Sequence, residues 1–215
     1  MDGATLQKRI YTGYAKAASR IGLQTYQYRP TSANNPLALQ NRLDSFTASF
    51  NVEDMKYGKQ NKYGHPAWYG LFDGSLTRVG DYLTNTTDGT FFIAAQQQAL
   101  PILLVQCNRT ITVIRPQQQT GVGALGYGGN TAANETTIMA AWPASVLQGT
   151  KGEKGDAILP GDVRSPWWTI LLPFWAGVTL RSADVITDDI QRRYVIRSAE
   201  LTDLGWRLTV MQAQL

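Results

Sequence analysis

Two stretches of this chain match each other at a fixed distance. Gly74-Ser-Leu-Thr-Arg78-Val-Gly-Asp81-Tyr-Leu-Thr84, followed by Phe91-Phe92-Ile93, returns 103 positions later as Gly177-Val-Thr-Leu-Arg181-Ser-Ala-Asp184-Val-Ile-Thr187, followed by Tyr194-Val195-Ile196. Gly, Arg, Asp, Thr and Ile stay in register without a gap, and the positions between them keep an apolar or aromatic character. A self-match of this kind points to one supersecondary unit used twice. It constrains the chain to two similar modules rather than one cleft between unlike halves. At 215 residues there is room for two small all-β domains or one large one.

The strand signals agree with that reading. Phe46–Val52, Ala67–Phe72, Tyr82–Leu83, Thr90–Ala94, Leu100–Gln106 and Thr110–Ile114 are short runs rich in β-branched and aromatic residues, with turn residues between them. Asp73-Gly74 and Asp88-Gly89 read as hairpin turns. Trp167–Leu172, Val178–Leu180, Val185–Thr187, Arg193–Arg197 and Trp206–Met211 resume the pattern, with Leu201–Trp206 as the connection before the last strand. The fold class expected is mainly β: two small antiparallel β-barrel or sandwich modules in tandem, with an N-terminal α-helix and long central loops. The boundaries read from composition are residues 1–43 for the helix and an extended linker, 44–116 for the first module, 117–165 for Gly/Gln-rich inserted loops, and 166–215 for the second module.

The helix is expected over residues 4–21. Leu6, Ile10, Tyr14, Ala17, Ala18 and Ile21 form one stripe, Asp2 is the cap and Gly22 the stop. Lys8, Arg9, Lys16 and Arg20 occupy its other faces; a terminal helix of this kind docks on a neighbour or packs on its own chain. The net charge of +4 is uneven: residues 1–66 carry nine Lys/Arg against four Asp/Glu, and residues 117–215 carry eight against nine. A basic N-terminal third meets nucleic acid or an acidic partner. Lys56, Lys59 and Lys62, interleaved with Tyr57 and Tyr63, repeat that chemistry in a loop, where charge and stacking hold a single strand or a protein. Tyr127, in the Gly121–Gly129 tract, and Trp142 complete the interface residues expected from sequence, since aromatics near loops are enriched at interfaces.

No catalytic or metal constellation is expected. His65 is the only histidine and precedes Pro66 in a Gly-rich loop, with no nucleophile elbow around any serine. Asp184 and Asp188-Asp189 read as turn carboxylates that bond their own backbone. A carboxylate-dependent wall hydrolase would have to work through Glu53-Asp54 or Asp188-Asp189. The Gly121–Gly129 tract lacks the lysine of a phosphate loop. No cofactor is called for. The single cysteine, Cys107, sits in a strand-like run and suits a core, so no internal disulfide forms. Neither a secretory signal nor an apolar run of membrane-spanning length is read here, which implies folding in a reducing cytoplasm and no membrane partner.

Several of these segments resemble structural proteins of tailed bacteriophages. The opening Met1-Asp-Gly-Ala-Thr-Leu-Gln-Lys8 leads into a short helix. It is followed by Tyr63-Gly-His-Pro-Ala-Trp68-Tyr-Gly-Leu-Phe-Asp73-Gly, Val79-Gly-Asp81-Tyr-Leu, Gly89-Thr-Phe-Phe-Ile-Ala94, Leu100-Pro-Ile, Val185-Ile-Thr-Asp and Arg193-Tyr-Val-Ile196. Gly-Asp-apolar-apolar, a turn, then aromatic-apolar-Ile is similar to the small β-barrels of head-to-tail connector, stopper and collar proteins. The likeness covers about half the chain, mainly 60–115 and 175–211. It implies a virion component assembled in the host cytoplasm. Such a protein forms a homo-oligomeric ring in the neck or tail, joins the portal to the tail, contacts neighbouring neck, portal and tail proteins, and passes DNA with at most transient contact. The alternative is a tail-tip or fibre-associated protein that binds host glycans through Tyr57, Tyr63 and Trp68.

Overall fold

The computed structural model describes residues 2–51, 64–116, 135–149 and 167–213. Helix α1 spans Gly3–Ile21. The Asp2 carboxylate accepts from Ala4 N at 3.0 Å and satisfies one of the orphan donors of the first turn, and Gly22 N closes the last turn on Ala18 O. Six strands follow: β1 (Leu23–Tyr28), β2 (Arg42–Asn51), β3 (Ala67–Leu71), β4 (Tyr82–Asn85), β5 (Gly89–Ala95) and β6 (Ile102–Cys107). Six more complete the chain: β7 (Arg109–Pro116), β8 (Glu135–Gln148), β9 (Trp167–Leu172), β10 (Val185–Asp188), β11 (Arg193–Thr202) and β12 (Gly205–Gln212).

The strands close into two antiparallel barrels. Around the first, neighbours run β1-β2-β3-β6-β5-β4 and return to β1; around the second they run β7-β8-β9-β12-β11-β10 and return to β7. Adding six to each strand number converts the first cycle into the second, so the fold is one topology built twice. Closure leaves neither sheet with a free edge. Only Asn108 separates the last strand of one barrel from the first strand of the next.

Alternation along the strands places the cores. Leu83, Phe91, Ile93, Ile102 and Leu104 point into the first barrel and pack with Ala48, Phe50 and Phe72. Their neighbours Tyr82, Phe92, Ala94 and Val105 point outward, yet are also buried, because they pack on the second barrel. Strands β4, β5 and β6 are therefore apolar on both faces, as expected of strands covered on two sides.

Sheet membership moves the expected boundaries. Leu23–Tyr28, expected within a linker, is β1; its inward residues Thr25 and Gln27 are polar, so no apolar period of two marks it. Arg109–Pro116, placed in the first module, is β7 of the second barrel, and Glu135–Gln148, placed among inserted loops, is β8. The remainder of those central loops, 117–134 and 150–166, lies outside the described residues. Asp73-Gly74 does not make a hairpin: Asp73 caps a 3-10 turn over Gly74–Leu76, and β3 pairs with β2 and β6 instead of β4. Val178–Leu180 is a loop without strand pairing, whereas the hairpin at Asp88-Gly89 joins β4 to β5 as read. The helical stripe is only partly used. Ala18 and Tyr11 face the first barrel, while Leu6 and Ile21 are exposed.

Candidate interaction surfaces

Each barrel is pinned by a buried aspartate that clamps one arginine. In the first, Asp81 accepts both Arg29 Nε and Nη2 at 2.7 Å, Gln27 Nε2 at 2.7 Å and the Arg78 backbone N at 3.0 Å. In the second, Asp184 accepts Arg115 Nε and Nη2 at 2.8 Å and the Arg181 N at 2.8 Å. The backbone around the two aspartates matches bond for bond: Gly80 N and Ala183 N donate to Ile93 O and Ile196 O, and Ile93 N and Ile196 N donate to Asp81 O and Asp184 O. Hydrogen bonding to the carboxylate raises the pKa of both guanidinium groups further. The aspartate of the sequence repeat is the centre of each clamp, and the repeat's Arg78 and Arg181 serve it through their backbone N–H groups. Arg29 and Arg115, the partners, lie outside the repeat and were not expected from it.

The barrels meet in a buried joint. Trp142, fully buried, packs edge-on to Tyr82 at 6.0 Å and against Trp175 at 6.1 Å, and donates its indole N–H to Ala33 O at 2.6 Å. Tyr82 donates its hydroxyl to Pro143 O at 2.8 Å, and burial pushes its pKa well above the usual phenol value. Residues 29–41 act as a strap: Ala33 O also receives Ala140 N, and Asn34 bridges Ala140 in parallel. Asn108 stitches the connection through both side-chain bonds to Val146 and its own N–H to Ala144 O. Cys107 lies half-buried against this joint, where burial pushes its thiol upward and away from reactivity. Trp142 was expected on a partner surface. Its place is this internal joint, because β8 turns it between the two barrels.

Of the other interface residues expected from sequence, Lys8, Arg9 and Lys16 are exposed together on α1, lining a depression of about 430 Å³ with Thr5, Thr12 and Gly13. Arg20 is exposed one turn beyond Lys16. Lys56, Tyr57, Lys59, Lys62, Tyr63 and Tyr127 lie outside the described residues. Trp68 is half-buried with its ring edge-on to Phe91 at 5.5 Å.

Of the carboxylates weighed for hydrolysis, Glu53 and Asp54 lie outside the described residues. Asp188 accepts the N–H groups of Ile190 and Arg192 and the Tyr194 hydroxyl, a turn role as read from sequence. Asp189 sits 3.8 Å from Arg109. His65 is exposed in its loop. Among the described residues, no three His, Cys, Asp or Glu side chains gather as a metal site, and no helix is long and apolar enough to cross a membrane.

A second surface was not anticipated. At the seam, Val79 and Gly80 of the first barrel face Pro173, Phe174 and the β11–β12 hairpin tip, 201–205, of the second across a groove of about 260 Å³. Val79 is 50% exposed, Phe174 51%, Leu201 50% and Leu204 39%, and the one charged lining residue is Asp203. Four large apolar side chains half open to water around one groove differ from the scattered exposed residues normal for a surface. The signal was present in sequence only as single apolar residues, three in loops or turns and Leu201 near the end of β11.

Comparisons with family models, with curated proteins and with solved structures find no match for this chain.

Proposed function

We propose that this chain is a non-catalytic structural protein of a tailed-phage virion, a subunit of a ring in the neck or tail that joins the portal to the tail and conducts DNA. The reading is supported by the phage-like segments and by one structural observation that carries it. A single closed six-strand cycle is built twice, and the copies are locked by a one-residue connection and a buried aromatic joint. A ring subunit has to transmit load between neighbours without hinging, and a packed joint of this kind makes one block of two barrels. Such a subunit also needs two unlike lateral faces, since a ring closes through heterologous contacts. The basic helix and the apolar seam groove lie on different parts of the block and differ in chemistry. Each phosphate neutralised by a lysine or arginine adds affinity, so the basic side chains of α1 belong at subunit or ring contacts, with the DNA conduit lined by other residues.

The test is direct. Mass spectrometry of purified virions of the encoding phage detects the chain, and cryo-EM places its two barrels in a ring between portal and tail. Virions that lack it, or that carry it only in tail fibres, overturn the proposal.

A further inference from the structure

The two barrels are finished differently at one end. In the first, α1 lies across the end formed by the Gly74 turn and the β5–β6 loop. The Tyr11 ring sits so close to Gly74 that a Cβ there would fall 2.5 Å from it, and the Gln7 side chain accepts Ala99 N at 2.7 Å. The corresponding end of the second barrel is formed by the β9–β10 loop with Phe174 and by the β11–β12 hairpin tip with Leu201 and Leu204. Among the described residues no helix covers it, and its apolar side chains are the ones half open to water in the seam groove.

We infer that this groove receives the capped end of a second copy of the chain, head to tail, so that α1 is held between the first barrel of its own subunit and the second barrel of the next. Three observations select this occupant. The groove continues the established barrel–barrel joint outward, since Val79 and Gly80 of the first barrel form one of its walls. The capped end presents matching apolar knobs: Leu6 is 44% exposed and Leu100 51%, and they flank the Gln7–Ala99 hydrogen bond. The charges are complementary. Residues Gly3–Ile21 hold Lys8, Arg9, Lys16 and Arg20 with no acidic residue, and Asp203 in the groove forms no ion pair among the described residues. The contact is heterologous: groove and cap are different surfaces, so each copy offers one of each and assembly propagates. The inference rests on the ring reading and deepens it by naming the lateral contact.

The experiment uses the purified full chain in analytical ultracentrifugation, with four variants at exposed positions. The wild type is expected to associate as concentration rises. Leu201→Glu with Leu204→Glu damages the groove, and Leu6→Glu with Lys8→Glu damages the cap. Each double variant should weaken self-association by about tenfold or more, while its melting temperature stays near wild type. Mixing the two double variants should restore dimers and nothing larger, because a mixed pair has one intact groove facing one intact cap. A charge exchange, Lys8→Glu with Asp203→Lys, should recover part of the association lost by Lys8→Glu alone. A wild-type chain that stays monomeric to millimolar concentration overturns the inference. So do double variants that associate like wild type, or a mixture that stays monomeric. Virions with the chain in the neck alongside any of these results would reject this contact and leave the ring reading standing. Groove–cap complementation in a chain missing from virions would do the reverse.

Discussion

The two barrels reach the same strand cycle with different interiors. On β1 the inward residues are Thr25 and Gln27, both fully buried, and Gln27 spends its amide on Asp81 and on Leu76 O. On β7 the matching positions are Ile111 and Val113, which simply pack. Both barrels keep the aspartate–arginine clamp. The comparison teaches that topology here is tied to the clamp and the backbone bonds around it, while the packing of the inner face is negotiable. A second difference lies outside: the first barrel carries α1 on one end, and among the described residues no helix lies on the second. What distinguishes the copies is what each turns toward its neighbours.

The sharpest way to break this comparison is to remove the clamps. Asp81→Ala and Asp184→Ala each remove a buried carboxylate and leave a half-buried arginine unpaired, and each should destabilise the chain by about 2–3 kcal/mol in urea unfolding. Asp81 gathers four donor groups against three for Asp184, so the first variant should lose more. Equal small losses would show that the clamp does not define the barrels.

Trp142→Ala tests whether the copies form one block. Emptying this site should cost about 3–5 kcal/mol and split the single unfolding transition into two, one for each barrel. Phe46, the matching position on β2, is half-buried, and Phe46→Ala should cost less and leave one transition. A single transition in both variants would mean the joint is not what couples the barrels.

High pH sharpens the same contrast. Tyr82 and Tyr194 both have folded pKa values raised above 10.0, chiefly by burial, with Tyr82 shifted the further. A raised pKa favours the neutral phenol in the fold, so this stability is complete below pH 10 and is lost as pH climbs through the folded values. Thermal melts across that range should show a steep alkaline decline. Tyr82→Phe should flatten it more than Tyr194→Phe, after a loss of about 1 kcal/mol at neutral pH from the missing bond to Pro143.

The smallest expected effect concerns one backbone position. Gly80 and Ala183, each just before its clamp aspartate, have φ of 88° and 73°. Glycine adopts that region freely and alanine does not. Ala183→Gly should stabilise and Gly80→Ala destabilise, each by roughly 1 kcal/mol. Equal and opposite shifts would confirm that the two turns are the same structure; shifts of one sign would separate them.

Much of the β architecture was legible from strand-like runs, and the repeat at 103 correctly paired β4–β5 with β10–β11. It missed the rest because loop lengths differ between the copies. Arg29 and Arg115 are 86 apart, Ser49 and Ser145 are 96 apart, Trp68 and Trp168 are 100 apart, and Leu104 and Val210 are 106 apart. A fixed-offset comparison sees only the segment whose intervening insertions happen to cancel. β1 was invisible for another reason: its inward face is Thr and Gln, so no apolar alternation marks it. Trp142 was assigned to a partner because an aromatic beside a proline looks the same in sequence whether it faces solvent or a second barrel.

The amino-acid order alone determined that the chain is mainly β, that a unit recurs, and that a capped basic helix opens it. These follow from local propensity, periodicity and capping, which act over a few residues. Tertiary structure alone decided that each unit closes on itself, that Asp81 and Asp184 find arginines 52 and 69 residues away, and that four scattered apolar side chains become one groove. Those outcomes depend on which strands become neighbours, and that is set by the closure of whole barrels and not by any one segment.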